Sequence, residues 1–388
     1  MKKALIVSAE PSADTYALAV LEEFRRRDPV RFHGVGGDRL QDAGVNILIH
    51  NRRMGIVGIV EVVFSLLRMK RYMERLVDFA RRERVDFALL IDFPDFNLRL
   101  ARRLHREKIP VYYYISPTIW AWRYRRIRLI RRVVTHMFLI FPFESDIYRR
   151  EGIPHTYIGH PLHRRVHSTR LGREMLVRQL DAREKTVLAI LPGSRHSEIR
   201  RHLPTLIRVM KRIQERIPRV LFVLLKADHI EKKMLEDALR GQDLDIRIVL
   251  QEQAYDLMAV SRAALSSCGT SNLEICLLGT PFCAFYRVHP LSYLLGKGML
   301  KIDRYSIVNI LSGRPVIREF IQSGMREEDL FREALRLLTD SSYRQGMISD
   351  FARVSAGLAQ EENPAVMITD KILALQDDAE NRDRGDIQ

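Results

Sequence analysis

Short apolar runs alternate with longer amphipathic ones along this chain, and the alternation occurs twice. In the first half, residues 4–9 (ALIVSA), 87–91 (FALLI), 111–115 (VYYYI) and 136–141 (HMFLIF) are apolar on both faces. That is the pattern of strands buried in a parallel sheet with helices on each side. Basic amphipathic stretches over 14–26 and 97–108 predict helices, and a short helix over ESDIYRREG leads to a strand at TYIG. Residues 161–185 are polar and basic and predict the interdomain link. The pattern then restarts, with strands at 186–191, 220–225, 245–250, 263–267 and 281–286. Helices are expected over 197–214, near 254–261 and over 271–278; in the first of them Ile199, Leu203, Leu206, Ile207 and Met210 share a face. The reading is an α/β fold of two Rossmann-like domains, 1–165 and 166–365, with a tail at 366–388. The last helices pack back on the N-terminal domain or are exchanged in a dimer, and the DDAENRDRGDIQ end is expected to fray. Two such domains would face a cleft, with ligands at the carboxyl ends of the strands.

Composition narrows the classes. A chain of 388 residues, 46% of them apolar, can build two real cores and is neither disordered nor fibrous. Three cysteines, Cys268, Cys276 and Cys283, are odd in number and lack CxxC spacing. Neither a disulfide framework nor a zinc site is expected, and a reducing compartment fits best. The MKKALIV start reads as a first strand rather than a signal peptide, because Glu10 and Asp14 follow at once. No window reaches 18 uncharged apolar residues, so no transmembrane span is expected. The net charge of +16 calls for an anionic partner: nucleic acid, an anionic membrane or a phosphorylated substrate. Charge alone does not choose among these.

Several loops could carry chemistry. LPGSRHSE (191–198) joins a strand to a helix. Gly193, Ser194 and Arg195 would meet an anion there, through free backbone N–H groups and a guanidinium; the bland reading is an ordinary turn. SSCGTSNLE (266–274) repeats that topology, with Gly269, Thr270 and Ser271 beside a phosphate or ribose. Glu274 would accept sugar hydroxyls or merely complement the helix dipole. IDFPDFNLRL (91–100) places Asp92 just past a buried strand, where a general base for transfer to a hydroxyl would sit; Asp95 caps the helix or supports the loop. Ser8, Glu10, Ser12 and Asp14 form a polar cluster after strand one, read as acceptor binding or loop anchoring. Trp120 and Trp122 stand among Arg123, Arg125, Arg126 and Arg128, a mixture that suits bases, lipid headgroups, an anionic substrate or a plain solvated helix. Residues 54–76 carry only Glu61 as a charge before Arg68. Met54, Ile56, Val57, Ile59, Val60, Val63, Phe64 and Leu67 with Arg68 would contact a membrane or acyl chains, or form a core helix.

Taken in order, MGIVGIVEV (54–62), IDFPDFN (91–97), ISPTIWAWRYRRIRLI (115–130), FLIFPFE (138–144), IGHPL (158–162), LPGSR (191–195), SCGTSNLE (267–274) and NILSGRPVIREFIQ (309–322) resemble the lipid-A-disaccharide synthase family over residues 2–355. The resemblance implies the glycosyltransferase B fold and an inverting transfer of 2,3-diacylglucosamine from UDP to 2,3-diacylglucosamine 1-phosphate (lipid X). The products would be lipid A disaccharide 1-phosphate and UDP. It implies no metal and no other cofactor, a peripheral place on the inner face of the inner membrane of a Gram-negative bacterium, and a possible homodimer. It makes Asp92 the base, puts Arg195, Gly269, Thr270 and Glu274 around UDP, and sets Asn309 near the donor. Ser12 and Asp14 survive from the family's GEASGD loop, whose glycines are here Ala9 and Ala13; the family's serine before Gly269 is here Cys268. Two rival readings stay open: another UDP-N-acetyl-sugar enzyme, either an epimerase or a peptidoglycan glycosyltransferase, and a basic nucleic-acid-binding protein. The second gives no reason for the loops at 191–195 and 268–274, so no nucleic acid is expected as partner.

Overall fold

Among the described residues, thirteen strands form two parallel sheets. The computed structural model describes residues 1–54, 61–168, 172–289 and 303–385, with the backbone alone at 11, 12, 61–66, 168 and 382–385. The chain divides into one unit of Met1–Pro161 with Gln360–Gln388 and another of Leu162–Ala359.

In the first unit the strands are β1 (Lys3–Ser8), β2 (Arg31–Gly36), β3 (Asn46–His50), β4 (Phe87–Ile91), β5 (Val111–Tyr114), β6 (His136–Leu139) and β7 (His155–Tyr157). Their order in the sheet is β3-β2-β1-β4-β5-β6-β7. β4 is FALLI, buried throughout, because both faces of the sheet are covered by apolar clusters. β2 and β3 escaped the sequence reading. RFHGVG opens on arginine and carries glycines that mimic a turn, yet Gly34 is needed in the strand: a Cβ there would lie 2.0 Å from the Ile6 carbonyl oxygen. The helix Glu61–Arg82 turns Met73, Leu76, Val77 and Ala80 into the core.

The second unit holds β8 (Thr186–Leu191), β9 (Val220–Lys226), β10 (Ile246–Leu250), β11 (Ala263–Ser267), β12 (Phe282–Tyr286) and β13 (Glu319–Ile321). Their order is β10-β9-β8-β11-β12-β13. β13, three residues long, gave too little pattern to be expected. The stretch read as the interdomain link contains the helices Pro161–Ser168 and Arg173–Gln179. Leu162, Val166, Leu176, Leu180 and Ala182 within 161–185 are buried, so apolar residues spaced among the arginines anchor it.

The tail expected to fray is helical as far as Gly385, in the helix Pro364–Gly385. Ala365, Ile368 and Ile372 enter the first unit's core beside Ala4, Ile6 and Phe24. Each buried isoleucine contributes roughly 2 kcal/mol, and Gln376 donates to the Tyr112 hydroxyl at 2.8 Å. No helix among the described residues is long and apolar enough to cross a membrane.

Candidate functional site

Each sheet has one point where the strand order reverses. In the first unit it lies between β1 and β4, and in the second between β8 and β11. Loops leaving two such strands part to opposite faces and open a crevice at the carboxyl edge. Ser8 pairs in register with Ile91, so the loops carrying Glu10 and Asp92 leave side by side. Ser266 pairs with Leu191, which sets the 268–271 loop beside Gly193, Ser194 and Arg195.

Asp92 sits in an unusual backbone. It and Phe93 both adopt the left-handed region, with φ of 48° and 45°. Two consecutive non-glycine residues there cost free energy and are held by their surroundings. The Asp92 carbonyl accepts from the Tyr113 hydroxyl and from Asn97 Nδ2, both at 2.7 Å, while its N–H donates to the Tyr114 carbonyl at 2.9 Å. The backbone is thus tied down, and the side chain is engaged only by the Phe93 N–H among the described residues. Asp92 makes no ion pair among the described residues, and burial, with nearby Glu10 adding to it, pushes its carboxyl up to about 6.

Around it stand braces. Asp95, expected to cap the helix or support the loop, makes no capping bond; it pairs with Arg123 at 3.0 Å and with Arg126, tying the helix Pro94–Arg106 to the following loop. Arg123 also lies over the Trp122 ring, 4.3 Å from its centroid. Trp120 packs edge-on against Phe143 at the margin of the core. Asp14 is buried and consumed: Ser8 Oγ, the Gly37 N–H and Asn51 Nδ2 donate to it at 2.5, 3.0 and 3.0 Å. It anchors the loop. The side chain of Ser12 lies outside the described residues. Ala9 and Ala13 are both buried, their methyls packed in the two clusters that cover the sheet. Met54 is buried in the core and so does not face a membrane, because the turn Asn51–Arg53 folds it inward. Ile56, Val57, Ile59 and Val60 lie outside the described residues, as do the side chains of Val63 and Phe64; Leu67, 55% exposed, and Arg68 face solvent.

In the second unit the loop after β8 differs from expectation. The Ser194 and Arg195 N–H groups are not free: both donate to Glu198 Oε2, at 3.0 and 3.2 Å. Gly193 makes room for this carboxylate, since a Cβ there would lie 2.7 Å from Glu198 Oε2, at a φ of +127° that also favours glycine. Arg195 itself projects outward, its side chain 74% exposed. Buried His202 donates from Nδ1 to the Pro192 carbonyl at 2.7 Å and accepts the Arg287 N–H at Nε2, at 2.9 Å. Burial lowers its pKa, so it is held neutral.

Beside it, Gly269 is open, with nothing within 4 Å of where a Cβ would lie. Thr270 precedes the helix Ser271–Leu277, and Ser271 Oγ lies 3.3 Å from Ser266 Oγ. Glu274 accepts from the Tyr255 hydroxyl at 2.8 Å. Burial raises its pKa, against the pull of Tyr255 and Arg165. Burial likewise raises the Cys268 thiol, which removes it as a nucleophile. Asn309 is a brace: Nδ2 donates to the Ile317 carbonyl and Glu319 Oε1, and Oδ1 accepts from the Val316 and Ile317 N–H groups. All four of its side-chain hydrogen-bonding positions are spent within the protein, and it is buried.

Glu10, from the polar cluster after strand one, and Glu198, Tyr286 and His202 complete these surroundings, and the last three were not singled out from the sequence. Only Glu198 left a signal there, the capping-box spacing of a glutamate three residues after the helix N-cap.

Residues 4–367 match the Lipid-A-disaccharide synthetase family. The chain is 40% identical to the lipid-A-disaccharide synthase of Solibacter usitatus over 360 residues, 92% of this chain and 93% of the relative. It is 37% identical to that of Nitrosococcus oceani over 347 residues, 89% of each. Among solved structures, the Neisseria meningitidis UDP-GlcNAc 2-epimerase bound to UDP-GlcNAc aligns with a TM-score of 0.62 at 13% identity, over 97% of this chain and 99% of its own. Anabaena Alr3699/HepE in complex with UDP and glucose aligns with a TM-score of 0.59 at 14% identity, over 97% and 100%. These two share the fold, two parallel α/β sheets of the glycosyltransferase B kind. By sequence over nearly its whole length, the chain belongs to the lipid-A-disaccharide synthase family.

Proposed function

We propose that this enzyme condenses UDP-2,3-diacylglucosamine with 2,3-diacylglucosamine 1-phosphate, releasing UDP and lipid A disaccharide 1-phosphate. Family membership over residues 4–367 supports the reaction. One observation carries the mechanism: a half-buried carboxylate at the end of a central strand, its backbone fixed and its pKa pushed up to about 6. Such a group is ionised at neutral pH yet is a stronger base than an ordinary carboxylate. In the proposed step Asp92 takes the proton of the acceptor's 6-hydroxyl as that oxygen attacks the anomeric carbon. The bond from that carbon to the UDP oxygen breaks, and UDP leaves with the electron pair. Arg195 meets the diphosphate charge, while Ser194, Gly269, Thr270 and Ser271 border the nucleotide and Glu274 holds sugar hydroxyls.

The same proposal includes a peripheral place on the inner leaflet of a Gram-negative inner membrane. Exposed Leu67 beside exposed Arg68, Lys70 and Arg71 supports it, as does the +16 charge. It also includes a homodimer formed by exchange of the helix Pro364–Gly385, which a mass measurement in solution tests. The reaction is tested in detergent micelles with UDP-2,3-diacylglucosamine and radiolabelled lipid X. The expected result is a labelled disaccharide, with UDP-GlcNAc left unchanged when supplied alone. Epimerised UDP-GlcNAc and no disaccharide would replace this reading with that of an epimerase.

A further inference from the structure

We infer that Glu198 is a positioning residue for nucleotide binding: it fills the backbone cradle of the 192–195 loop from within, so that the Arg195 guanidinium, and not the loop's amides, meets the diphosphate. This rests on the reading that the loop serves UDP. At many strand-to-helix turns free amides take the phosphate directly. Here two of those amides, on Ser194 and Arg195, converge on one oxygen of a side chain that is only 10% exposed. Its other oxygen accepts from the Tyr286 hydroxyl at 3.2 Å and lies 3.3 Å from Arg195 Nη1.

A carboxylate with four such donors is strongly held. An incoming phosphate would have to expel a buried anion and leave those donors to re-form elsewhere. Gly193 is what lets Glu198 fold in this closely, since any Cβ there would lie 2.7 Å from Glu198 Oε2. On the other flank His202 bridges the Pro192 carbonyl to the Arg287 N–H. The loop is therefore rigid before ligand arrives, which lowers the ordering cost of binding. What the carboxylate leaves outside is the exposed guanidinium, already aimed by its contact with Glu198.

The test is UDP affinity by calorimetry on the full chain in a double-mutant cycle, with thermal melts to confirm folding. Arg195→Ala and Glu198→Ala should each weaken UDP about tenfold or more, and the double variant should bind no more weakly than Arg195→Ala alone. Glu198→Gln, whose amide oxygen still accepts both N–H groups, should stay within about threefold of wild type. In turnover, Glu198→Ala should raise KM for the UDP donor and leave KM for lipid X unchanged. Where Glu198→Ala does not fold, Glu198→Asp takes its place: it keeps the charge but cannot reach the cradle, and should weaken UDP similarly. Additive losses, or a Glu198→Ala variant that binds UDP as tightly as wild type, overturn the inference while Arg195 keeps its role. If Arg195→Ala binds UDP normally, the Arg195 assignment falls, and the inference with it.

Discussion

The loops after β4 and β8 each leave a strand that flanks the point where its sheet's order reverses, yet they treat charge in opposite ways. After β4, the backbone is secured by Tyr113 and Asn97 while the Asp92 carboxylate is half-buried with no ion pair among the described residues. After β8, the buried carboxylate of Glu198 is surrounded by donors, and the charge left over, Arg195, is turned out to solvent. One loop accepts an energetic cost to keep a group reactive; the other satisfies its interior and offers only a guanidinium. Under the proposed mechanism, that contrast would separate a residue that does chemistry from one that grips a ligand.

The sharpest way to break the contrast is Asp92→Asn. Asparagine tolerates the left-handed backbone, so geometry is kept while the base is lost. Disaccharide formation should fall about 10²- to 10⁴-fold with UDP affinity unchanged. Stability should move the other way. The folded-state pKa, about 6, lies above the ordinary 3.8, so the stability this group contributes is present below pH 4 and lost as pH rises through 6. Asp92→Asn removes that penalty, and at pH 8 urea denaturation should show a gain on the order of 2–3 kcal/mol. A loss of stability at that pH would mean the carboxylate has a partner and the two loops are alike.

Next in size is Asn309→Ala. Its four internal hydrogen bonds predict a loss of about 2–4 kcal/mol in denaturation, with KM for the donor little changed in the protein that remains folded. A variant of normal stability and poor donor binding would return Asn309 to the site. The smallest expected effect is on Glu10. Its charge contributes to the raised Asp92 pKa after burial, so Glu10→Gln should move the acid limb of the rate profile to lower pH.

The fold was legible wherever strands were continuous apolar runs, because burial on both faces leaves no polar positions to confuse the pattern. It failed at β2, where glycine serves backbone approach rather than a turn, and the helices within 161–185 went unread because arginines mask buried leucines. In the site, Asp92 was legible because a carboxylate directly after a buried strand falls at the carboxyl edge of the sheet, where ligands of open α/β folds bind. The fate of Asn309 was not, since a side chain that braces its own loop and one that faces a ligand read alike in sequence. Nor were the filled amides at Ser194 and Arg195, which depend on a side chain folding back one turn.

The most direct test of Asp92 as the base is the pH dependence of kcat/KM for lipid X, with saturating UDP-2,3-diacylglucosamine, from pH 4.5 to 9 in steps of about half a unit. The assignment predicts a rate that rises through an apparent pKa near 6 in the wild type, a limb at lower pH in Glu10→Gln, and no such limb in the residual activity of Asp92→Asn. A limb near 6 that survives unchanged in Asp92→Asn would contradict it and place the essential base elsewhere.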